Sequence, residues 1–192
     1  MADLETPQAV PCPERKQVLC SERQQVLCSE RQLGVHEHFM RIAMREAELA
    51  EAAGEVPTGC VIVERQQNDA FSIDARIIGR GHNETEGRGN PTSHAEMLAI
   101  AEACAARGDF RLTDTVLYVT KEPCAMCAGA IVLARIPVVV YGVSDPHRGG
   151  QSVFGILDSE ALIHRAEIIG GVCGDECRDR LQSFFRARRV KE

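Results

Sequence analysis

Positive charge is what this sequence is short of. Lys and Arg number 22 against 28 Asp and Glu, a net charge of -6, which excludes a broadly basic surface that coats nucleic acid and leaves room only for a local patch. Also missing is any apolar run approaching the roughly 20 residues needed to span a bilayer. The opening residues, Met1 to Glu5, carry neither the basic start nor the apolar stretch of an export signal. The expectation is a soluble, cytoplasmic protein with no membrane partner. Cysteine, by contrast, is plentiful at nine. The odd number, the chain length and the missing export signal all speak against the disulfide framework of a small secreted domain, so reduced thiols and a metal site are the better reading. A chain of 192 residues with 44% hydrophobic content suffices for one core and one catalytic domain.

From Glu14 to about Gln32 the chain repeats with a period near eight, Glu-Arg-Lys-Gln-Val-Leu-Cys-Ser followed by Glu-Arg-Gln-Gln-Val-Leu-Cys-Ser. No chemical motif lies in the repeat. Residues 1–33 therefore read as a poorly ordered extension, with an amphipathic partner-binding helix as the sharper alternative, and residues 34–192 as the catalytic domain. From His36 to Ala53 the residues Phe39, Met40, Ala43, Met44, Ala47 and Ala50 recur at three- and four-residue steps, which predicts a helix with one buried face, stopped by Gly54. Gly59 to Val63 and Ile77 to His82 read as paired strands joined by a long loop through Gln66, Asn68 and Asp69. Further on the pattern predicts a helix from about Ser93 to Arg107, a strand Val116 to Thr120, a helix Cys124 to Arg135, a strand Val138 to Gly142, a short strand near Ile168 and a closing helix from Asp175. Parallel strands need crossovers of helical length, so the fold class is α/β, a mixed sheet with helices on both faces.

Two short patterns carry the chemistry. His94-Ala95-Glu96 opens one predicted helix, and Pro123-Cys124-Ala125-Met126-Cys127 opens another. Cys124 and Cys127 are three residues apart, so in a first helical turn their sulfurs share a face and can share one ion, with Pro123 fitting just ahead of the turn. Two thiolates and one imidazole suit Zn2+ and leave a fourth tetrahedral position for water, the mark of a catalytic rather than a structural site. Helix N-termini also favour the deprotonated thiol. Glu96, two residues from His94 and off its helical face, is placed to carry protons rather than to complete the coordination shell. Taken alone, Cys-x-x-Cys is equally a redox pair or half a structural zinc site, and His-x-Glu signals almost nothing. Together they match the deaminase signature H-x-E followed by P-C-x-x-C.

Beyond that core, the stretch from Phe39 to Arg189 resembles the bacterial tRNA-specific adenosine deaminases. The resemblance runs through Gly54-Glu55-Val56-Pro57, Gly81-His82-Asn83, Pro91-Thr92-Ser93-His94-Ala95-Glu96, Leu117-Tyr118-Val119-Thr120, Glu122 to Ala130, Tyr141-Gly142, Asp145, His164-Arg165, Gly170-Gly171-Val172 and Phe184-Phe185-Arg186. The Phe-Phe-Arg tail points to the tRNA enzymes rather than to other members of the cytidine-deaminase-like superfamily. The resemblance implies a three-layer α/β/α fold with a mixed five-stranded sheet and a homodimer with one Zn2+ per subunit. It implies a substrate at the wobble adenosine of a tRNA anticodon stem-loop, converted to inosine. Zinc would acidify water, Glu96 would take its proton, and the hydroxide would attack C6 of a flipped adenine, with Glu96 then protonating N1 and the departing amine.

By the same resemblance Asn83 bonds the base and Asp145 lies beside the substrate nucleotide. For Asn83 a plain turn role stays open, and for Asp145 a loop-opening role before Pro146. Arg178, Arg180, Arg186, Arg188, Arg189 and Lys191 concentrate charge in the last helix, where Arg186, Arg188 and Arg189 are candidates for tRNA phosphate contacts or for a solvated helix end. Thr58, Cys60 and Asn90 depart from the family pattern, as do a longer segment from Arg65 to Asp74 and the loop His147 to Phe154. Cys173 and Cys177 lack a third ligand and read as ordinary buried thiols. The enzymatic alternative is deamination of a free nucleobase or nucleotide, guanine or cytosine in type, by the same zinc chemistry. A catalytically inactive partner subunit is disfavoured by the presence of Glu96.

Overall fold

The computed structural model describes residues 30–65 and 72–189. Among these, α1 (Glu30–Ala52) is followed by strands β1 (Gly59–Glu64) and β2 (Ile77–His82), a one-turn helix α2 (Thr85–Arg88), α3 (Ala95–Arg107), β3 (Thr115–Lys121), α4 (Ala125–Leu133), β4 (Val138–Val143), β5 (Glu167–Gly170) and α5 (Gly174–Arg189). The strands form one sheet in the order β2-β1-β3-β4-β5. β1 runs antiparallel to both of its neighbours, β2 and β3, and β3, β4 and β5 run parallel.

Strand alternation divides the interior into two layers. Val61, Val63, Val116, Tyr118, Val138 and Val140 face one side, where they meet Val35, Phe39, Met40 and Ala43 of α1 and Cys177 of α5. Cys60, Ile62, Leu117, Val119 and Val139 face the other, where they meet Ala95, Ala99 and Ala103 of α3 and Ala128 and Ile131 of α4. The expected mixed sheet with helices on both faces is therefore the observed one. Close helix seating depends on small residues: a Cβ at Gly81 would lie 2.3 Å from the Ala95 carbonyl oxygen. That contact sets the first turn of α3 directly on the end of β2.

Two elements differ from the sequence reading. α1 begins no later than Glu30, where the periodicity started it at His36, because Val35 and His36 are buried against the sheet and extend the helix through the weak helix former Gly34. α2 was not foreseen; a single turn is too short to show periodicity. The octad repeat, apart from its last three residues in α1, lies outside the described residues, as does the connecting loop expected at 66–69. Cys177 is buried and Cys173 partly so, consistent with ordinary thiols.

His36 is 1% exposed, and its Nδ1 shares a hydrogen bond of 3.0 Å with the Tyr118 hydroxyl. Burial lowers its pKa to about 4, against about 6.5 in an unfolded chain. Between those values the unfolded chain holds the extra proton, so stability that is full above pH 6.5 is lost as the pH falls toward 4. The linkage amounts to about 2 kcal/mol at pH 5 relative to neutral pH. Urea unfolding at pH 7.5 and pH 5 should therefore show a smaller loss in His36→Gln than in the wild type; equal losses would contradict the assignment.

Candidate active site and metal centre

Because β1 runs against β3 and β4 runs with it, four strand ends meet at one edge of the sheet: the start of β1 and the ends of β2, β3 and β4. Carboxyl ends of parallel strands are where α/β sheets place ligands. The helices that follow begin there too. His94 is the N-cap of α3 and Cys124 the N-cap of α4, both in extended backbone conformation with no side-chain capping bond. The side chains that would ordinarily cap these helices are thus turned toward one another.

The three donors form a triangle. Cys124 Sγ lies 3.7 Å from His94 Nδ1, Cys127 Sγ lies 3.5 Å from the same nitrogen, and the two sulfurs are 3.7 Å apart. A tetrahedral zinc about 2.3 Å from sulfur and about 2.1 Å from nitrogen requires donors about 3.8 Å (S to S) and about 3.6 Å (S to N) apart. The spacing therefore fits zinc without rearrangement. Left to themselves the thiols behave unequally. A hydrogen bond from Cys127, with His94 adding to it, holds the Cys124 thiol down to about 3. The same bond, with burial, pushes the Cys127 thiol upward. A cation shared by both sulfurs removes the inequality, because each thiolate then faces positive charge.

Glu96, in the first turn of α3, is 3% exposed. Burial raises its carboxyl above the ordinary carboxylate range, which suits a group that takes a proton and gives it back. Glu96, His94 and Cys124 line a cavity of about 570 Å³ together with Thr58, Asn83, Lys121, Asp145, His147 and Arg148, and with Leu181 and Phe185 of α5. Asn83 is buried, and its Oδ1 accepts a hydrogen bond from the Ala95 N–H at 3.1 Å. Its side-chain amide is left to donate.

Asp145 is more internally engaged than the sequence implied. Its Oδ2 accepts from Lys121 Nζ at 2.6 Å, and its Oδ1 from the N–H groups of His147 and Arg148 at 3.0 and 3.1 Å. Burial opposes ionisation, but these partners outweigh it and keep the carboxyl below its usual range. The segment it opens is tied to the metal loop by Glu122. That buried carboxylate accepts from Ser144 Oγ at 2.6 Å, Asp145 N at 2.8 Å, Gln151 N at 3.2 Å, Ser152 N at 2.7 Å and Ser152 Oγ at 2.9 Å. Glu55 does the same for α2, accepting from Thr85 Oγ1 at 2.9 Å and Gly87 N at 2.7 Å.

The last helix divides its arginines. Arg180 pairs with Glu48 and Glu51 of α1 at 2.8 and 2.7 Å, and Arg178 pairs with Asp175. Arg188 donates to the Gly54 carbonyl at 3.3 Å and lies over the Phe184 ring. Arg186 and Arg189 line a shallow cavity of about 490 Å³ that shares Leu181 and Phe185 with the first. Lys191 lies outside the described residues. Sequence reasoning did not single out Lys121, Glu122, His147, Arg148, Leu181 or Phe185 as site residues. Lys121 ends β3, Glu122 directly follows it, and His147 and Arg148 lie in the loop after β4, a positional signal that becomes usable once those strands are known to be parallel.

A family model for the cytidine and deoxycytidylate deaminase zinc-binding region matches residues 33–143. The tRNA-specific adenosine deaminase of Streptococcus pyogenes serotype M18 (strain MGAS8232) is 46% identical over 156 residues, which cover 81% of this chain and 92% of that protein. The chain belongs to the tRNA-specific adenosine deaminases. The enzyme of the same name from Bacillus subtilis (strain 168) is 46% identical over 158 residues, covering 81% of this chain and 92% of that one. A solved structure from work on A-to-I editing by tRNA:A34 deaminases at the wobble position superposes with a TM-score of 0.67 at 38% identity, over 74% of this chain and 98% of that one. This member of the family is thus a zinc-dependent hydrolytic deaminase, and His94, Cys124 and Cys127 form a group that could hold a metal ion. Among the described residues no helix is long and apolar enough to cross a membrane.

Proposed function

We propose that this deaminase converts adenosine to inosine at the wobble position of a tRNA anticodon stem-loop, releasing ammonia. The observation that carries the reading is the buried Glu96 carboxyl set beside a zinc-spaced His94, Cys124 and Cys127 triangle at the floor of an open cavity. His94, Cys124 and Cys127 would hold the zinc, which would supply a Lewis acid able to bring the pKa of water toward about 7. Glu96 accepts one proton from the attacking water and passes it to N1 of the purine, then carries the remaining proton of the newly attached hydroxyl to the departing amine, leaving a carbonyl at C6. Asn83 donates its amide to the base from a position locked by the Ala95 N–H. Asp145 acts chiefly on the cavity wall, orienting Lys121 and the turn through Arg148 beside the substrate nucleotide.

Phosphate contacts fall to Arg186 and Arg189 along the shallow cavity, since Arg188 is committed to Gly54 and Phe184. A local cationic strip of this kind is compatible with an acidic chain, because only a few phosphates flank the reacting base. A homodimer in the cytoplasm belongs to the same proposal. Leu133, Phe154 and Ile163, large apolar side chains left 64%, 58% and 69% exposed on and after α4, are the surface a second copy would cover. Incubation with a stem-loop carrying wobble adenosine, followed by digestion and mass spectrometry, should yield inosine. Free adenine, guanine and cytosine should remain unchanged; product from free bases alone would overturn the tRNA reading.

A further inference from the structure

We propose that the hydroxyl of Thr58 hydrogen-bonds the substrate base, which makes Thr58 a specificity-determining residue of this pocket. The inference rests on the deaminase reading above and adds a contact that the zinc motif does not contain. Thr58 lines the cavity and is 6% exposed. Among the described residues its hydroxyl makes no hydrogen bond, while neighbouring buried polar groups are satisfied: Asn83 Oδ1 by Ala95, Glu55 by Thr85 and Gly87, Thr120 Oγ1 by the Gly59 N–H at 3.1 Å. Among the described residues Arg180 Nε alone is a sealed side-chain polar atom without a partner, so the Thr58 oxygen is open to the cavity it lines and is available to what the cavity binds.

Its position is rigid. The Thr58 N–H donates to the Val56 carbonyl at 2.7 Å, its carbonyl accepts from the Asn83 N–H at 3.1 Å, and a β-branched side chain has little freedom at χ1. The β1–β2 register pairs Gly59 with His82, which puts Thr58 opposite Asn83, where directly paired side chains stand on the same face of the sheet. Two residues along β1 on that face lies Cys60, buried in the same layer as Ala95 at the start of the helix that carries Glu96. Thr58 and Asn83 therefore stand together on the proton carrier's side of the sheet.

Their chemistry is complementary. Asn83 has spent its oxygen on Ala95 and offers only N–H donors, whereas the hydroxyl of Thr58 is a neutral group that can accept. A donor beside an acceptor matches a purine edge with a ring nitrogen next to an amino group, as adenine presents with N7 and N6. Valine at this position would keep the shape and remove the acceptor.

The test uses the full-length zinc-loaded enzyme and wobble-adenosine stem-loops. Thr58→Val should fold and hold zinc as the wild type does, with kcat/KM reduced roughly 10-fold, and Thr58→Ser, which keeps the hydroxyl, should recover most of the loss. In an unreactive Glu96→Gln background, Thr58→Val should weaken binding of the adenosine stem-loop about as much and leave binding of an abasic stem-loop unchanged. Equal weakening of both ligands, or no loss in Thr58→Val, would overturn the proposal. A wild type that fails to deaminate the stem-loop would instead overturn the functional reading on which it rests.

Discussion

Glu96→Gln is expected to lower the single-turnover rate on a wobble-adenosine stem-loop by about a thousandfold while the protein keeps one zinc per chain. The amide has the size of the carboxyl and cannot exchange protons at neutral pH, so the loss isolates proton transfer. Burial of Glu96 at 3% exposure leaves little room for bulk water to substitute for it. Metal content by mass spectrometry and the rate should therefore separate cleanly. A variant with near wild-type turnover would show that another group moves the proton, and a variant without zinc would show that Glu96 helps to hold the ion.

Cys127→Ala should behave in the opposite way, losing zinc and turnover together. Cys127 is fully buried at the first turn of α4, and its sulfur lies 3.5 Å from His94 Nδ1 and 3.7 Å from Cys124. Two remaining donors hold the ion much more weakly than three. Stability should fall as well. An ion that binds only the folded chain adds about 4 kcal/mol when present at a thousand times its Kd, which for a domain of this size is about 10 °C in Tm. Chelation of the wild type should reproduce that drop and be reversed by added zinc, whereas Cys127→Ala should melt at the same temperature with and without zinc. Melting of the variant that still rises with zinc would show that His94 and Cys124 hold the ion without it.

The two thiols proposed to hold zinc are legible in the sequence because their spacing is local. Cys124 and Cys127 are three residues apart, and that interval brings two sulfurs together in any helix capped at Cys124. The same holds for Glu96, which the start of α3 carries with His94. Helix α1 is legible only in part: its buried face is periodic from Phe39 onward, but Gly34 and the polar residues around it mask the turns that packing of Val35 and His36 adds. Helix α2 is invisible there, since what holds Thr85 and Gly87 in a turn is the carboxylate of Glu55, far away in sequence. Asn83 and Asp145 are legible as positions but not in their bonding, because the partners that define them, the Ala95 N–H and Lys121, come from other elements.

By itself the sequence determined two local pairs, His94 with Glu96 and Cys124 with Cys127, because intervals of two and three residues are fixed by a helix start; folding closes the gap of 30 residues between His94 and Cys124. Only the tertiary structure decided what surrounds that chemistry. The antiparallel entry of β1 brings Thr58 beside Asn83, the parallel run of β3 and β4 delivers Lys121 and Asp145 to the same edge, and α5 reaches over from the opposite layer with Leu181 and Phe185. Contacts of that kind depend on sheet register and on which faces are buried, and those are settled by the packing of the whole chain rather than by any short stretch of it.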